Sequence, residues 1–170
     1  RSGATVTVSI DGTGITADGN GSDGIFIYAE SYNGDTAGPD FIPSTVNMTL
    51  DLDAVTATDN FNFGISLDAS AEDGGATTLS GGLGAVTSTG NGDDGLALQA
   101  YAGGTTSYGG TLYTSSVTQA ITSTGGNVSD NGDVGISVQA DAVDGGSITQ
   151  SFAATGDLTV DYNTGRGIFQ

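Results

Sequence analysis

An all-β chain wound into a parallel β-helix (β-solenoid) of about five coils, each of three short strands, is the fold class this sequence predicts. The first observation behind it is a recurring motif, an Asn followed four residues on by a Gly and then an aliphatic residue. It occurs at Asn20/Gly24, Asn60/Gly64, Asn91/Gly95, Asn131/Gly135 and Asn163/Gly167. The glycines lie 40, 31, 40 and 32 residues apart, and self-similarity at such periods marks stacked repeats. The second observation is a strand of one pattern after each Gly. The third is the absence of any helical periodicity, in a chain where 30 of 170 residues are Gly and the aliphatics alternate with polar residues.

The first strand of each coil reads Ile25-Phe-Ile27-Tyr-Ala29, Ile65-Ser-Leu67-Asp-Ala69, Leu96-Ala-Leu98-Gln-Ala100 and Ile136-Ser-Val138-Gln-Ala140. Side chains alternate across a strand, so the aliphatics and Ala point inward while Phe26, Tyr28, Asp68, Gln99 and Gln139 point out. Ile25, Ile65, Leu96, Ile136 and Ile168 are expected to form one buried column, with Ile27, Leu67, Leu98 and Val138 a second. Gly-Gly turns at Gly74-Gly75, Gly109-Gly110 and Gly145-Gly146 lead to a weaker second strand around Met48 to Leu52, Leu79, Leu112 and Ile148 to Phe152. The third strand reads Ile15-Thr-Ala-Asp18, Val55-Thr-Ala-Thr58, Val86-Thr-Ser-Thr89, Ile121-Thr-Ser-Thr124 and Leu158-Thr-Val-Asp161. The Asn falls five residues after the leading aliphatic except in the copy at Ile121, where Gly125 to Ser129 reads as a turn insertion.

These elements make one segment, 1–170, with coils at about 24–63, 64–94, 95–134 and 135–166 and partial coils at 1–23 and 167–170. An antiparallel sandwich is the competing architecture, but it has no use for one turn sequence at one phase five times. A solenoid does, because it stacks identical turns. Asn20, Asn60, Asn91, Asn131 and Asn163 are therefore expected to form a ladder, each carboxamide hydrogen-bonding those above and below. Gly24, Gly64, Gly95, Gly135 and Gly167 are read as turn glycines.

Charge narrows the range of partners. Asp and Glu number 20 against two Arg, with no Lys and no His, for a net charge of -18. Such a polyanion repels nucleic acid and anionic membrane surfaces, and its self-repulsion asks for screening by salt or divalent cations. Cys is absent, which rules out disulfides and thiolate chemistry. No apolar run is long enough to cross a bilayer as a helix. Acidity together with Gly, Asp, Thr, Ser and Asn richness suits an exported surface protein.

On the Asn, the Gly and the Ile-x-Leu-x-Ala strand, the chain resembles the right-handed β-helix repeats of large bacterial secreted and surface proteins, the autotransporter passengers and haemagglutinin-like adhesins. The resemblance implies a right-handed coil and an elongated, mostly non-catalytic stalk or adhesive surface outside the cell. Carbohydrate-cleaving β-helix enzymes need carboxylates beside basic groups, and this chain has no His or Lys and only Arg1 and Arg166. No enzyme is expected.

Four constellations remain. Gly90 to Leu96 and Gly19 to Ile25 nearly match a calcium-binding nonapeptide, although copies 71 residues apart lack its tandem period. Two residues before the motif Gly stand Asp93 and Asp133, in adjacent coils, and with Asp94 they are the candidate ligands for a hard cation such as calcium. Thr56, Thr58, Thr87, Thr89, Thr122 and Thr124 would form an outward ladder that resembles the ice-binding face of some β-solenoid antifreeze proteins. Tyr28, Tyr32, Tyr101 and Tyr108 are candidate contacts to glycans. The expected function is a structural or adhesive solenoid forming a stalk, fibre or surface layer by coil stacking, with glycan or ice binding as the alternative. Both ends of the chain fall within coils, so head-to-tail self-association or membership of a longer array is expected.

Overall fold

The computed structural model describes residues 5–31, 43–72, 74–144 and 146–170, and these wind into a parallel β-solenoid of about five coils. The first coil comprises β1 (Thr5–Gly12), β2 (Ile15–Asp18) and β3 (Ile25–Ser31). The second comprises β4 (Thr45–Leu52), β5 (Ala54–Thr58) and β6 (Ile65–Ala71), and the third β7 (Ala76–Gly82), β8 (Ala85–Thr89) and β9 (Leu96–Ala102). A hairpin of β10 (Thr105–Tyr108) and β11 (Thr111–Thr114) then precedes β12 (Ser116–Ser123), β13 (Gly125–Ser129) and β14 (Ile136–Ala142) of the fourth. The fifth holds β15 (Ser147–Ala154), β16 (Leu158–Asp161) and β17 (Ile168–Phe169). No helix occurs among the described residues.

Every inter-coil pairing is parallel, and the coils stack into three five-stranded sheets. The first sheet runs β3-β6-β9-β14-β17, the second β1-β4-β7-β12-β15 and the third β2-β5-β8-β13-β16. A single coil cannot bury its own apolar side, so stability comes from stacking at about 4.8 Å per rung. Ile25, Ile65, Leu96 and Ile136 share one buried column, and Leu67, Leu98 and Val138 the next. Ile27 is partly buried, while Ile168 is 58% exposed because β17 packs on β14 alone. The Ala at the fifth position is equally in register at Ala29, Ala69, Ala100 and Ala140.

The fourth coil departs from the sequence reading. Ile121 belongs to β12 in the second sheet, and Gly125–Ser129 forms the third-sheet strand β13 instead of a turn insertion. Gly126 pairs with Val86 and with Leu158, which restores the five-residue step to Asn131. A Gly occupies the position where the other copies carry an aliphatic, so the pattern attached itself to Ile121. Gly126 is required there: its φ is +139°, and a Cβ would collide with the carbonyl of Val86.

Leu112 lies in the hairpin and is 64% exposed; the second-sheet position above Leu79 belongs to Gln119. Gly109 and Gly110 form the hairpin tip, both with positive φ, between the paired Tyr108 and Thr111. Gly74-Gly75 does lead into a second-sheet strand, β7, and Gly145 lies outside the described residues. The alternating coil length now has one explanation. Thirteen residues separate Ser31 from Thr45 and Ala102 from Ser116, but four separate Ala71 from Ala76 and Ala142 from Ser147. Every second coil thus carries an insertion at the same corner.

One corner holds its backbone in the left-handed region in every coil. The residue immediately before each ladder Asn has positive φ: Gly19 (63°), Asp59 (53°), Gly90 (69°), Asp130 (58°) and Tyr162 (55°). Gly tolerates this conformation freely and Asp tolerates it through local hydrogen bonding, but a bulky aromatic is strained in it. Tyr162 is also 81% exposed, so little packing repays the strain. Tyr162→Gly is therefore expected to raise stability by about 1 kcal/mol, seen as a higher urea midpoint. A lower midpoint would mean that the Tyr ring contributes contacts worth more than the backbone strain.

Candidate functional site

The Asn corner is a continuous ladder of side-chain hydrogen bonds. Asn20, Asn60, Asn91 and Asn131 each donate through Nδ2 to the Oδ1 of the Asn one coil on, at 2.7, 2.8, 2.8 and 2.9 Å. The same Oδ1 atoms accept the backbone N–H of the preceding Asn at 3.1 to 3.2 Å. Nδ2 also reaches a third-sheet carbonyl, Ala57 for Asn91, Ser88 for Asn131 and Val128 for Asn163, and in Asn91 it donates to the Ser88 hydroxyl as well, at 3.1 Å. Asn60, Asn91 and Asn131 are buried, and Asn20 at the first coil is exposed. A stacked Asn ladder thus satisfies a buried bend that would otherwise strand its backbone groups.

The ladder also explains the motif Gly. None of Gly24, Gly64, Gly95 and Gly135 has positive φ. A Cβ on any of them would lie 2.5 to 2.6 Å from the Nδ2 of the next coil's Asn and 2.6 to 2.8 Å from the next motif Gly carbonyl. These glycines stand in the bends before the first-sheet strands, and what they provide there is space for the ladder. Gly167 has no such neighbour, its nearest being the Val160 carbonyl at 3.6 Å. The near-match to a calcium nonapeptide has the same origin, since Gly19 and Gly90 are the positive-φ residues that precede Asn20 and Asn91.

The Thr face divides between two sheets. Thr56 pairs with Thr87 and Thr58 with Thr89, in register as expected. Above them stand Asn127 and Ser129, whereas Thr122 pairs with Gly82 in the second sheet and Thr124 follows β12. Thr122 and Thr124 are thus removed from the ladder, for the same reason that Ile121 was misplaced. The outward third-sheet column Asp18, Thr58, Thr89, Ser129 and Asp161 is interrupted by carboxylates at both ends.

Asp93, Asp94 and Asp133 do come together: one carboxylate oxygen from each lies within 4.8 Å of the others. Stacked corner turns cause this, with Asp133 N–H bonded to the Asp93 carbonyl at 3.3 Å. Burial is the main influence holding the Asp94 carboxyl above its ordinary range; the charges of Asp93 and Asp133 add to it, and the Val134 N–H, 3.0 Å from Oδ1, opposes it. Hard oxygen donors of this kind suit calcium, which would need further oxygens from backbone or water to complete six to eight.

The first sheet presents the second polar site on its outer face. Register places Phe26, Ser66, Ala97, Ser137 and Phe169 in one outward column. Beside it run Tyr28, Asp68, Gln99 and Gln139, and then Glu30, Ser70, Tyr101 and Asp141. Between the second and third of these columns, Tyr28, Asp68, Gln99 and Gln139 on one side and Ser70, Tyr101 and Asp141 on the other border a groove of about 620 Å³ that reaches from Tyr28 to Phe169. The Phe26 and Tyr28 rings stack at 6.1 Å with planes 9° apart, and the Arg166 guanidinium lies 4.9 Å above the Phe169 ring. Burial, and then the charge of Glu30, push the Asp68 carboxyl upward. Of the other candidate glycan contacts, Tyr32 and the Tyr108 side chain lie outside what the structure describes.

The shifts at Asp68 and Asp94 bear on stability. Folding raises both pKa values, so the folded chain favours the protonated forms. That contribution is complete below the ordinary value near 3.8 and is lost as pH rises through the raised values. Without divalent cations, Tm is expected to rise on acidification from neutral pH to about 4. Asp94→Asn should flatten part of that slope; an unchanged slope would place the effect elsewhere.

These features define a class of protein by fold: a parallel β-solenoid held by a buried Asn ladder, with an acidic corner and one grooved face. The chain matches no protein-family model, no curated protein and no solved structure.

Proposed function

We propose that this chain is a structural and adhesive segment of an extracellular solenoid at a bacterial cell surface, serving as stalk, fibre or surface layer through the stacking of its coils. The observation that carries this reading is the ladder, continuous from Asn20 to Asn163 beside three sheets in unbroken register. Such an arrangement resists bending and stretching together, because extension of any coil breaks backbone and carboxamide bonds at once. The role is non-catalytic, and the absence of His and Lys from the chain supports that. The partners are further coils, in the same chain or in a second copy stacked head to tail; nucleic acid and bilayer are disfavoured by the charge of -18. Negative-stain images with sedimentation at rising concentration test the reading. Rods that lengthen with concentration are expected, and compact monodisperse particles at every concentration would refute it.

Calcium has a place in this reading as a brace between the third and fourth coils, at Asp93, Asp94 and Asp133. Tm is then expected to rise more in calcium than in sodium at equal ionic strength, and Asp133→Asn should remove the difference. Equal melting curves for the unaltered chain would leave only charge screening.

A further inference from the structure

We infer that the groove on the outer face of the first sheet binds a neutral, linear oligosaccharide lying along the solenoid axis. The inference deepens the adhesive reading by naming a ligand class, and rests on that reading for its biological sense.

The groove joins the two chemistries that sugar recognition needs. Tyr28, 45% exposed and held flat against Phe26, offers an aromatic face to the C–H face of a pyranose. Tyr101, two rungs further along and half-buried, offers a second. Asp68 and Asp141 supply acceptors for hydroxyl pairs, while Gln99 and Gln139 supply a donor and an acceptor each. All of these stand on strands whose inward residues, among them Leu67, Leu98 and Val138, are buried. Side chains are thus set at fixed rungs of about 4.8 Å, and a preformed site loses little entropy on binding.

Position and charge select among ligands. The groove crosses the rungs from Tyr28 in the first coil to Phe169 in the fifth, which favours the interior of an extended chain over a single terminal sugar. Glu30, Asp68 and Asp141, within a molecule of charge -18, repel uronate and sialate, so the sugar is neutral. An extended peptide is disfavoured because backbone recognition needs a free strand edge, and β6, β9 and β14 are paired on both sides.

Titration of the whole chain with neutral gluco-, manno-, galacto- and N-acetylglucosamine oligomers, followed by tyrosine fluorescence and calorimetry, tests the inference. At least one series is expected to bind, with affinity increasing with oligomer length. Tyr28→Ala and Tyr101→Ala should each weaken it about tenfold, with circular dichroism unchanged. Phe61→Ala, which alters a more exposed aromatic outside the groove, should leave it unaltered. Absence of binding to every neutral series, equal loss with Phe61→Ala, or binding only of acidic sugars or basic peptides would overturn it. Rods that bind no sugar would sink the groove and leave the stalk; compact particles that bind sugar would do the reverse.

Discussion

Asn91→Ala is expected to destabilise the solenoid by about 3 kcal/mol, seen as a lower urea midpoint. Asn91 is 2% exposed. Its Oδ1 accepts from the backbone N and Nδ2 of Asn60, at 3.1 and 2.8 Å, and its Nδ2 donates to Asn131 Oδ1 at 2.8 Å and to the Ala57 carbonyl at 3.3 Å. Truncation leaves those groups inside the bend without partners and without access to water, and that desolvation is the larger part of the cost. Asn20 provides the comparison. It is exposed and donates only forward, to Asn60, so Asn20→Ala should cost under about 1 kcal/mol. Equal losses at the two positions would show that the ladder is not a source of stability.

Leu98→Asp should cost about 5 kcal/mol or more, enough to unfold the middle coils. Leu98 is fully buried and stands between Leu67 and Val138 in the inward column, where a carboxylate would find neither a cation nor a donor. Leu98→Ala should cost about 3 kcal/mol through the cavity alone. Gln99→Thr, one residue on and facing outward, should remain within about 0.5 kcal/mol. Far-UV circular dichroism and thermal melts of the three variants provide the check. A Leu98→Asp chain that melts like the unaltered protein would mean that this column is hydrated.

Much of the fold was legible because a solenoid repeats its solution. Ile25, Ile65, Leu96 and Ile136 meet the same environment, so the same residue type recurs and the period appears in the sequence. The Asn corner was legible for the same reason: a side chain that bonds its own copy one rung away must be identical in every rung. The candidate metal residues were readable too, since equal positions in adjacent coils must lie near one another. Where the pattern misled, a Gly stood in place of the repeating type. Gly126 holds the position of Val86 and Leu158, and its absent side chain allowed Ile121 and the Thr122 to Thr124 segment to be fitted into the wrong sheet.

The sequence by itself determined the strand alternation, the inward columns, the Asn register and the charge, because each depends on residue type and spacing alone. Tertiary structure decided the rest. Only stacking shows that Gly24, Gly64, Gly95 and Gly135 make room for a neighbour's carboxamide, because the Asn that excludes a Cβ belongs to the next coil, 27 to 36 residues away. The groove is likewise a property of the stack: Tyr28, Asp68, Gln99 and Gln139 come from four separate strands, and only their shared register gathers them on one face.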